Sequence, residues 1–450
     1  MNTSHLPVLD PKPIRAYRQN FDFRTDIGVD SPFYVALEDY RGEYSRQRML
    51  SQFGLDAQGH WGQGEKPTVQ TSVLFGGHIG CGKSTELRQL CELIKNAYTV
   101  CPIELTQILD INNLRFSDLL IALGHEVVVT CERQSLPVEA VFINPVLDWF
   151  DTRIIKKDIF TDLEAEVKTE AKGKTGIPFL VTLMASFTAK VRSGASYREE
   201  LRKEVSNGFT QLLASFNALI AHVNALLAAQ DNGPLLFVID GTDKLKREDS
   251  ETFFQADVNQ LLQIETHLIV CAPIAVLLES SQTAQRFALR ERLPMVKIEE
   301  RDGTAQAEAI DALVALVDKR LPLAHFDALA TVQYLAKMSG GHPRDLLRLV
   351  SACFGRLVSE GPITREVAER AVKDVASEYQ RAILAGDWQE LVTVDASQGQ
   401  DIARNEVRMR MLYDLVLLEY NSYWWRSHPL VRTLRGYVAV QAKPQTSVVG

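Results

Sequence analysis

Gly77-His78-Ile79-Gly80-Cys81-Gly82-Lys83-Ser84 fits the spacing G-x-x-x-x-G-K-[ST]. Each position has a chemical reason. The glycines let successive backbone N–H groups turn inward around a phosphate, and a helix opening near Lys83 presents its positive end to the same anion. Lys83 is suited to reach the β and γ phosphates, and the Ser84 hydroxyl to ligate Mg2+. Thr85, next in the helix, could contact the α phosphate. Cys81 reads as a small residue tolerated in the loop rather than a redox switch, because nothing near it in sequence would trap an oxidised form.

A second group of candidates lies far downstream. Leu235 to Ile239 contains no polar residue and runs directly into Asp240. A carboxylate at the tip of such a strand would hold Mg2+ through water and offset phosphate charge; the plainer alternative is a cap on the next turn. Gly241-Thr242-Asp243 follow, with no glutamate directly after Asp240. Asp243 is therefore the candidate for orienting an attacking water, against the simpler role of an aspartate at a helix N-terminus. ATP and Mg2+ are the cofactors these residues imply.

The elements that must carry these residues show in the apolar periodicity. Strands are expected at Ser72–Phe75, Tyr98–Leu105, Leu235–Ile239, His267–Ala272 and Met295–Ile298, each pair separated by helical material. Pro102 weakens the second of them. Helices are expected at Lys83–Asn96, at Ser117–Thr130 with Ser117 as N-cap, and along Leu201–Leu227. This alternation predicts an α/β fold, a P-loop NTPase with a mostly parallel sheet covered on both faces. From about Thr304 onward the pattern is helical, and Tyr420–Arg426 reads as a short hairpin. The charged stretch Lys156–Lys174 is expected to be a solvated surface helix.

Further matches carry a family resemblance. Phe237-Val-Ile-Asp-Gly-Thr-Asp-Lys-Leu245 resembles the Walker B pattern of STAND ATPases, departing from it at Lys244, where an acidic residue is common. Leu268–Pro273 occupies the place of the sensor 1 strand, with Cys271 where a polar residue is usual. Gly341-His-Pro-Arg-Asp-Leu-Leu347 resembles the G-x-P-R sensor 2 element of replication-initiator-like AAA+ proteins. The resemblance is to additional-strand P-loop ATPases of the STAND and AAA+ groups, with a replication-initiator-like lid and a winged helix. It implies that Arg344 approaches the γ phosphate from the lid. It also implies that one of Arg286, Arg290 and Arg292 serves as an arginine finger toward a neighbouring subunit.

The implied domains are an N-terminal extension (1–69) packing on the core, an ATPase core (70–303) with a helical insertion at about 131–230, a helical lid (304–390) and a winged-helix-like domain (391–450). Lys83 and Asp240 stand 157 positions apart, and the insertion accounts for most of that gap. No [NT]-K-x-D base-reading element of a GTPase occurs. Ser339-Gly340-Gly341 lies too far after Asp240 to be an ABC signature.

Composition limits the function classes. The 450 residues are 46% hydrophobic and 24% charged, close to the globular average, with a net charge of −8;. A surface devoted to nucleic acid would normally be basic, and residues 401–440 sum to only +2. Trp424 and Trp425 are candidates for core packing. Leu268–Leu278 and Phe209–Ala229 both fail as membrane spans, the first by length and Pro273, the second through Gln211, Asn217, His222 and Asn224. Six cysteines form no CxxC pair, so a cytoplasmic location is expected. The reading that follows is an ATP-binding, ATP-hydrolysing switch acting in signalling or bacterial defence through nucleotide-dependent assembly. Its partners would be further copies of itself or a separate effector protein, with no membrane. A DNA-associated AAA+ ATPase, with nucleic acid the less favoured partner, and a nucleotide-binding scaffold with little hydrolysis are the alternatives.

Overall fold

The computed structural model describes residues 12–22, 27–62, 70–155, 176–278, 284–358, 360–398, 403–422 and 424–442. In chain order, helix α1 is Arg46–Gln52, strand β1 Ser72–Gly77, helix α2 Lys83–Ile94 and strand β2 Thr99–Glu104. Helices α3 (Phe116–Arg133), α4 (Ala140–Phe150), α5 (Ile177–Ser193) and α6 (Ala195–Ala229) come next. Strands β3 (Leu235–Asp240), β4 (His267–Pro273) and β5 (Leu289–Leu293) follow. Helices α7 (Ala307–Asp318), α8 (Leu329–Met338), α9 (Pro343–Arg356), α10 (Arg365–Tyr379), α11 (Asp387–Ala396) and α12 (Glu406–Tyr413) lead to the hairpin β6 (Leu417–Asn421) and β7 (Trp424–Ser427), and to α13 (Arg435–Gln441). The chain divides into two compact units. One comprises Arg46–Gly76 and Gln89–Glu291, the other Met1–Ser45, Gly77–Arg88 and Arg292–Gly450.

The first unit holds the sheet, in the order β2-β3-β4-β1-β5. β2 runs parallel to β3, with Thr99 opposite Leu235 and Glu104 opposite Asp240, and β3 runs parallel to β4. Every residue of β3 is buried, which is why its sequence is continuously apolar rather than alternating. β4 lies between the strand that leads into the P-loop and the strand that ends on Asp240. That order is the arrangement of an additional-strand α/β P-loop NTPase. Thr99–Glu104, the strand between the two motifs in sequence, is instead the sheet edge. Pro102 is tolerated there, with its side chain exposed, because an edge strand need not donate on its open side;.

Two expectations fail locally. The fifth strand is Leu289–Leu293, not Met295–Ile298. Pro294 follows the strand, and the apolar run after it is extended but bonded elsewhere: Met295 N–H to the Glu419 carbonyl (2.9 Å), Val296 N–H to Gly341 (3.2 Å) and Lys297 N–H to Tyr40 (2.7 Å). Ser117 is not an N-cap. α3 begins one residue earlier, and the Asp118 carboxylate accepts the Arg115 N–H at 3.0 Å.

Helices α3 to α6 pack against one another in the first unit, with Phe150, Phe187, Leu212, Phe216 and Leu219 all buried. α6 bends at Gly208, whose φ and ψ are −114° and 16°. A Cβ there would lie 2.7 Å from Trp149 Nε1, so only glycine admits the close packing of Trp149;. Among the described residues α6 is long and apolar enough by composition to cross a membrane, with a mean hydropathy of 1.7 over its best window. Its polar residues are nonetheless used inside the unit. Asn217 bonds the Gln263 carbonyl and the Glu265 N–H, Asn224 accepts the Leu235 N–H, and His222 Nε2 accepts the Glu139 N–H. The charged stretch 156–174 lies outside the described residues.

The second unit gathers the P-loop, the helices α7 to α11 and the C-terminal segment. α9 packs on α10, α12 on β6, and α11 on β7 and α13. The β6–β7 hairpin is antiparallel and almost wholly buried, Trp424 and Trp425 being 1% and 0% exposed. Its residues serve as core, and the Tyr420 hydroxyl donates to the Gly340 carbonyl at 2.8 Å.

Candidate nucleotide-binding site

The P-loop leaves β1 at Gly77 and enters α2 at Lys83. Gly80 and Gly82 have φ of 84° and 107°, left-handed values that side chains resist and that a nest of inward N–H groups requires. At Gly77 a Cβ would lie 2.7 Å from the Leu293 carbonyl. The Lys83 ammonium is folded into the loop, 3.0 Å from the Gly77 carbonyl and 2.8 Å from that of His78. Ser84 and Thr85 follow in the first turn of α2, both partly exposed. Gly77 to Thr85 thus form a cradle that glycine alone permits at three points, with one cation inside it. These residues fit a phosphate chain, and Ser84 would supply the hydroxyl for Mg2+.

Side chains from distant segments hold the loop in shape. The Arg41 guanidinium, 4% exposed, donates to the Cys81 carbonyl and the Pro294 carbonyl, both at 2.6 Å. His78, 1% exposed, has Nδ1 3.0 Å from the Leu412 carbonyl, while Nε2 accepts the Glu419 N–H at 3.0 Å. The acceptor role of Nε2 places the proton on Nδ1 and leaves the ring neutral. Burial, then the neighbouring His342 and Lys83 charges, push its pKa down to about 3. His342 Nε2 lies 2.9 Å from the Ile79 carbonyl. None of these three anchors was legible in the sequence.

Arg344 lies one residue into α9, and its side chain reaches the loop. A Cβ built on Gly80 would be 2.7 Å from Arg344 Nε and 2.8 Å from His342 Nε2. The first turn of α9 therefore covers the middle of the P-loop with cationic and histidine side chains. The side chain expected to approach a γ phosphate and the loop expected to hold it lie together in one compact unit.

In the sheet unit, Asp240, Asp243 and Cys271 offer ligand atoms within 4.8 Å of one another. Asp240 Oδ1 accepts the Gly241 N–H at 2.8 Å. Gly241, at φ 100°, turns the chain into the short 3-10 turn Thr242–Lys244 that carries Asp243. The Thr242 hydroxyl donates to the Cys271 carbonyl and fixes that turn to β4. Asp243 is 4% exposed and Asp240 9%. Two carboxylates this close, at the end of a parallel strand, suit a divalent cation or a water in its shell. Cys271 lies inside β4 rather than at its tip, since the strand continues to Pro273.

The three arginines expected near β5 separate. Arg286 ends a short turn and is exposed, Arg290 is exposed within β5, and Arg292 donates to the Glu419 carboxylate at 2.8 Å. In the C-terminal segment, Arg408 pairs with Glu390, Arg410 with Asp387 (2.7 Å), and Arg426 and Arg432 both with Glu299 (2.9 and 3.2 Å). Arg404 and Arg435 are exposed.

No protein-family model matches the chain, and no curated protein matches it either. Solved structures with a similar chain path include Cdc6p from Pyrobaculum aerophilum, at 14% identity, covering 93% of this chain and 99% of that one, with a TM-score of 0.35. The Aeropyrum pernix Orc1 protein in complex with DNA is 13% identical, covering 89% and 81%, with a TM-score of 0.38. The Thermotoga maritima RuvB Holliday junction branch migration motor is 12% identical, covering 94% and 100%, with a TM-score of 0.34. Scores this low add nothing to the strand order and the glycine-built loop, on which the P-loop NTPase fold stands.

Proposed function

We propose that this chain is an ATP-binding and ATP-hydrolysing switch of the STAND/AAA+-like kind, acting in signalling or defence through nucleotide-dependent assembly. The observation that carries it is the loop itself: left-handed glycines, an internal lysine, and Arg344 laid against Gly80. Gly77 to Thr85 bind the phosphates, Lys83 and Arg344 neutralise charge on the terminal phosphate, and the Ser84 hydroxyl serves Mg2+; in the sheet unit, Asp240 is the carboxylate suited to Mg2+ and Asp243 the one suited to orient a water. When bound, Mg2+ supplies charge neutralisation between phosphates. The four sequence domains keep their roles in this reading: extension 1–69, core 70–303, lid 304–390 and winged-helix-like segment 391–450. The exposed Arg286 and Arg290 are the candidates to reach a neighbouring copy; a separate effector protein is the other partner. All six cysteines are free of disulfides, in keeping with a reducing cytoplasm.

A scaffold that binds ATP and hardly turns it over is favoured by three features: no glutamate follows Asp240, Cys271 stands where a polar residue is usual, and Lys244 where an acidic one is. Calorimetric ATP titration and phosphate release separate the two readings. Binding that is lost in Lys83→Ala, with turnover above that of Asp243→Asn, supports the enzyme. Binding with equally slow turnover in wild type and Asp243→Asn supports the scaffold. Absence of ATP binding by the wild type refutes both.

A further inference from the structure

Behind the P-loop lies a cluster that no proposed ATPase step uses. Asp345, on α9, is fully buried, as are His342 and His428. The Asp345 carboxylate receives Arg348 Nη1 at 2.7 Å on Oδ1. On Oδ2 it receives the Tyr379 hydroxyl and His428 Nε2, the latter at 3.0 Å. His342 Nδ1 lies 3.2 Å from the same Oδ2, without an aligned hydrogen bond.

The donor bookkeeping decides what His342 must be. His428 Nδ1 accepts the Leu430 N–H at 3.1 Å, so its proton sits on Nε2 and points at Asp345. His342 is different, because both its nitrogens face oxygen acceptors: Nε2 the Ile79 carbonyl at 2.9 Å and Nδ1 the Asp345 carboxylate. A neutral ring would leave one bare lone pair against an oxygen in a fully buried place, which is costly. Two protons remove the conflict and give the carboxylate a counter-charge. Asp345 is set up for this: burial alone would raise its pKa, but His342 and His428 outweigh that and hold it well below the usual carboxylate range. The three ligand atoms are also close enough to suit a metal ion. The Leu430 N–H argues against one, since metallating His428 Nε2 would put a proton on Nδ1 facing that donor.

We propose that His342 is a positioning residue of the nucleotide loop: as an imidazolium it bridges the Ile79 carbonyl and the Asp345 carboxylate and so holds the loop in shape. Peptide stereochemistry explains how it positions. In a planar trans peptide the C=O and the next N–H point opposite ways. Drawing the Ile79 carbonyl toward His342 therefore turns the Gly80 N–H away from it, and Arg41 does the same for the Gly82 N–H through the Cys81 carbonyl. The charged and titratable groups that face this cluster are His78 and Lys83 on the loop, Arg344, Asp345 and Arg348 on α9, Glu378 and Tyr379 on α10, and His428 and Arg432 in the C-terminal segment. Among the described residues, His342 alone joins a loop carbonyl to this carboxylate.

The inference rests on the loop binding nucleotide, so the test has two arms. The first is ¹⁵N-histidine NMR of the full chain near neutral pH, with His342 assigned by its loss in His342→Gln. Two protonated ring nitrogens are expected; a singly protonated ring overturns the inference. The second is ATP affinity near neutral pH in wild type and His342→Gln. The variant, which cannot donate to the Ile79 carbonyl and carry a charge toward Asp345 at once, should bind ATP about tenfold or more weakly; equal affinity overturns the inference;. One tightly held divalent metal per chain, lost in His342→Gln, also overturns it. If the wild type takes up no ATP, the nucleotide reading fails and the positioning role falls with it. A neutral His342 beside intact ATP binding sinks the inference alone.

Discussion

Replacing His78 with Gln should change both the stability of the protein and the way that stability depends on pH;. The His78 ring is buried, neutral and clamped between the Leu412 carbonyl and the Glu419 N–H. Its folded-state pKa of about 3 lies below the ordinary 6.5. The unfolded chain therefore takes up a proton that the folded chain refuses. Stability from this group is complete above about pH 6.5 and is lost as pH falls toward 3, at about 1.4 kcal/mol per unit. Between about pH 7.5 and 5 the wild type should forfeit about 2 kcal/mol through His78. His428, also pushed down by burial in the same unit, acts in the same direction. Gln can offer one donor and one acceptor but does not titrate, so His78→Gln should lose about 2 kcal/mol less over that interval. It should start about 1 to 3 kcal/mol less stable because the two bonds are imperfectly remade. The assay is urea unfolding followed by tryptophan fluorescence at both pH values, with Trp388, Trp424 and Trp425 reporting on this unit. If variant and wild type lose equal stability on acidification, the ring is not held neutral and the account of the clamp is wrong.

Lys83→Ala removes the cation inside the loop and should weaken ATP binding at least about tenfold in a calorimetric titration. Asp243→Asn should slow phosphate release by about 10- to 100-fold while leaving ATP affinity within about threefold, the split expected of a group acting on the attacking water. Gly341→Ala forces a Cβ to within 1.9 Å of the Val296 carbonyl at a φ of 74°. It should lower the unfolding free energy by about 2 to 4 kcal/mol, read as a drop in urea midpoint. With Arg408, Arg410, Arg426 and Arg432 in ion pairs, any duplex DNA binding by the C-terminal segment should show a log–log salt slope no steeper than about −2. A slope near −5 would mean those pairs open for DNA.

Much of the architecture was legible because it is local. The P-loop is eight consecutive residues, and the strand ending on Asp240 is a run too apolar to be anything but buried. The fifth strand was misplaced because Met295–Ile298 looks more strand-like than Leu-Arg-Glu-Arg-Leu, yet an edge strand needs only alternate burial, and Glu291 lies buried in the ladder beside Arg48. The anchors of the loop were invisible for a different reason. Arg41 is 40 positions from Cys81, Ile79 263 from His342, and His78 341 from Glu419. No spacing rule spans such gaps. The one local hint is His342 directly before Pro343, the N-cap position of α9, which marks a helix start but not what the ring touches.

The same separations govern when the molecule can work. A ribosome adding about 5 to 20 residues per second takes roughly 20 to 70 s to travel from His78 to Glu419, the 341 positions that separate the partners of one hydrogen bond;. Throughout that interval the nascent P-loop exists without its C-terminal brace. On the proposed reading, nucleotide capture waits until β6 has been made, and a truncated product lacking β6 would carry the complete motif yet leave its His78 imidazole without the Glu419 N–H.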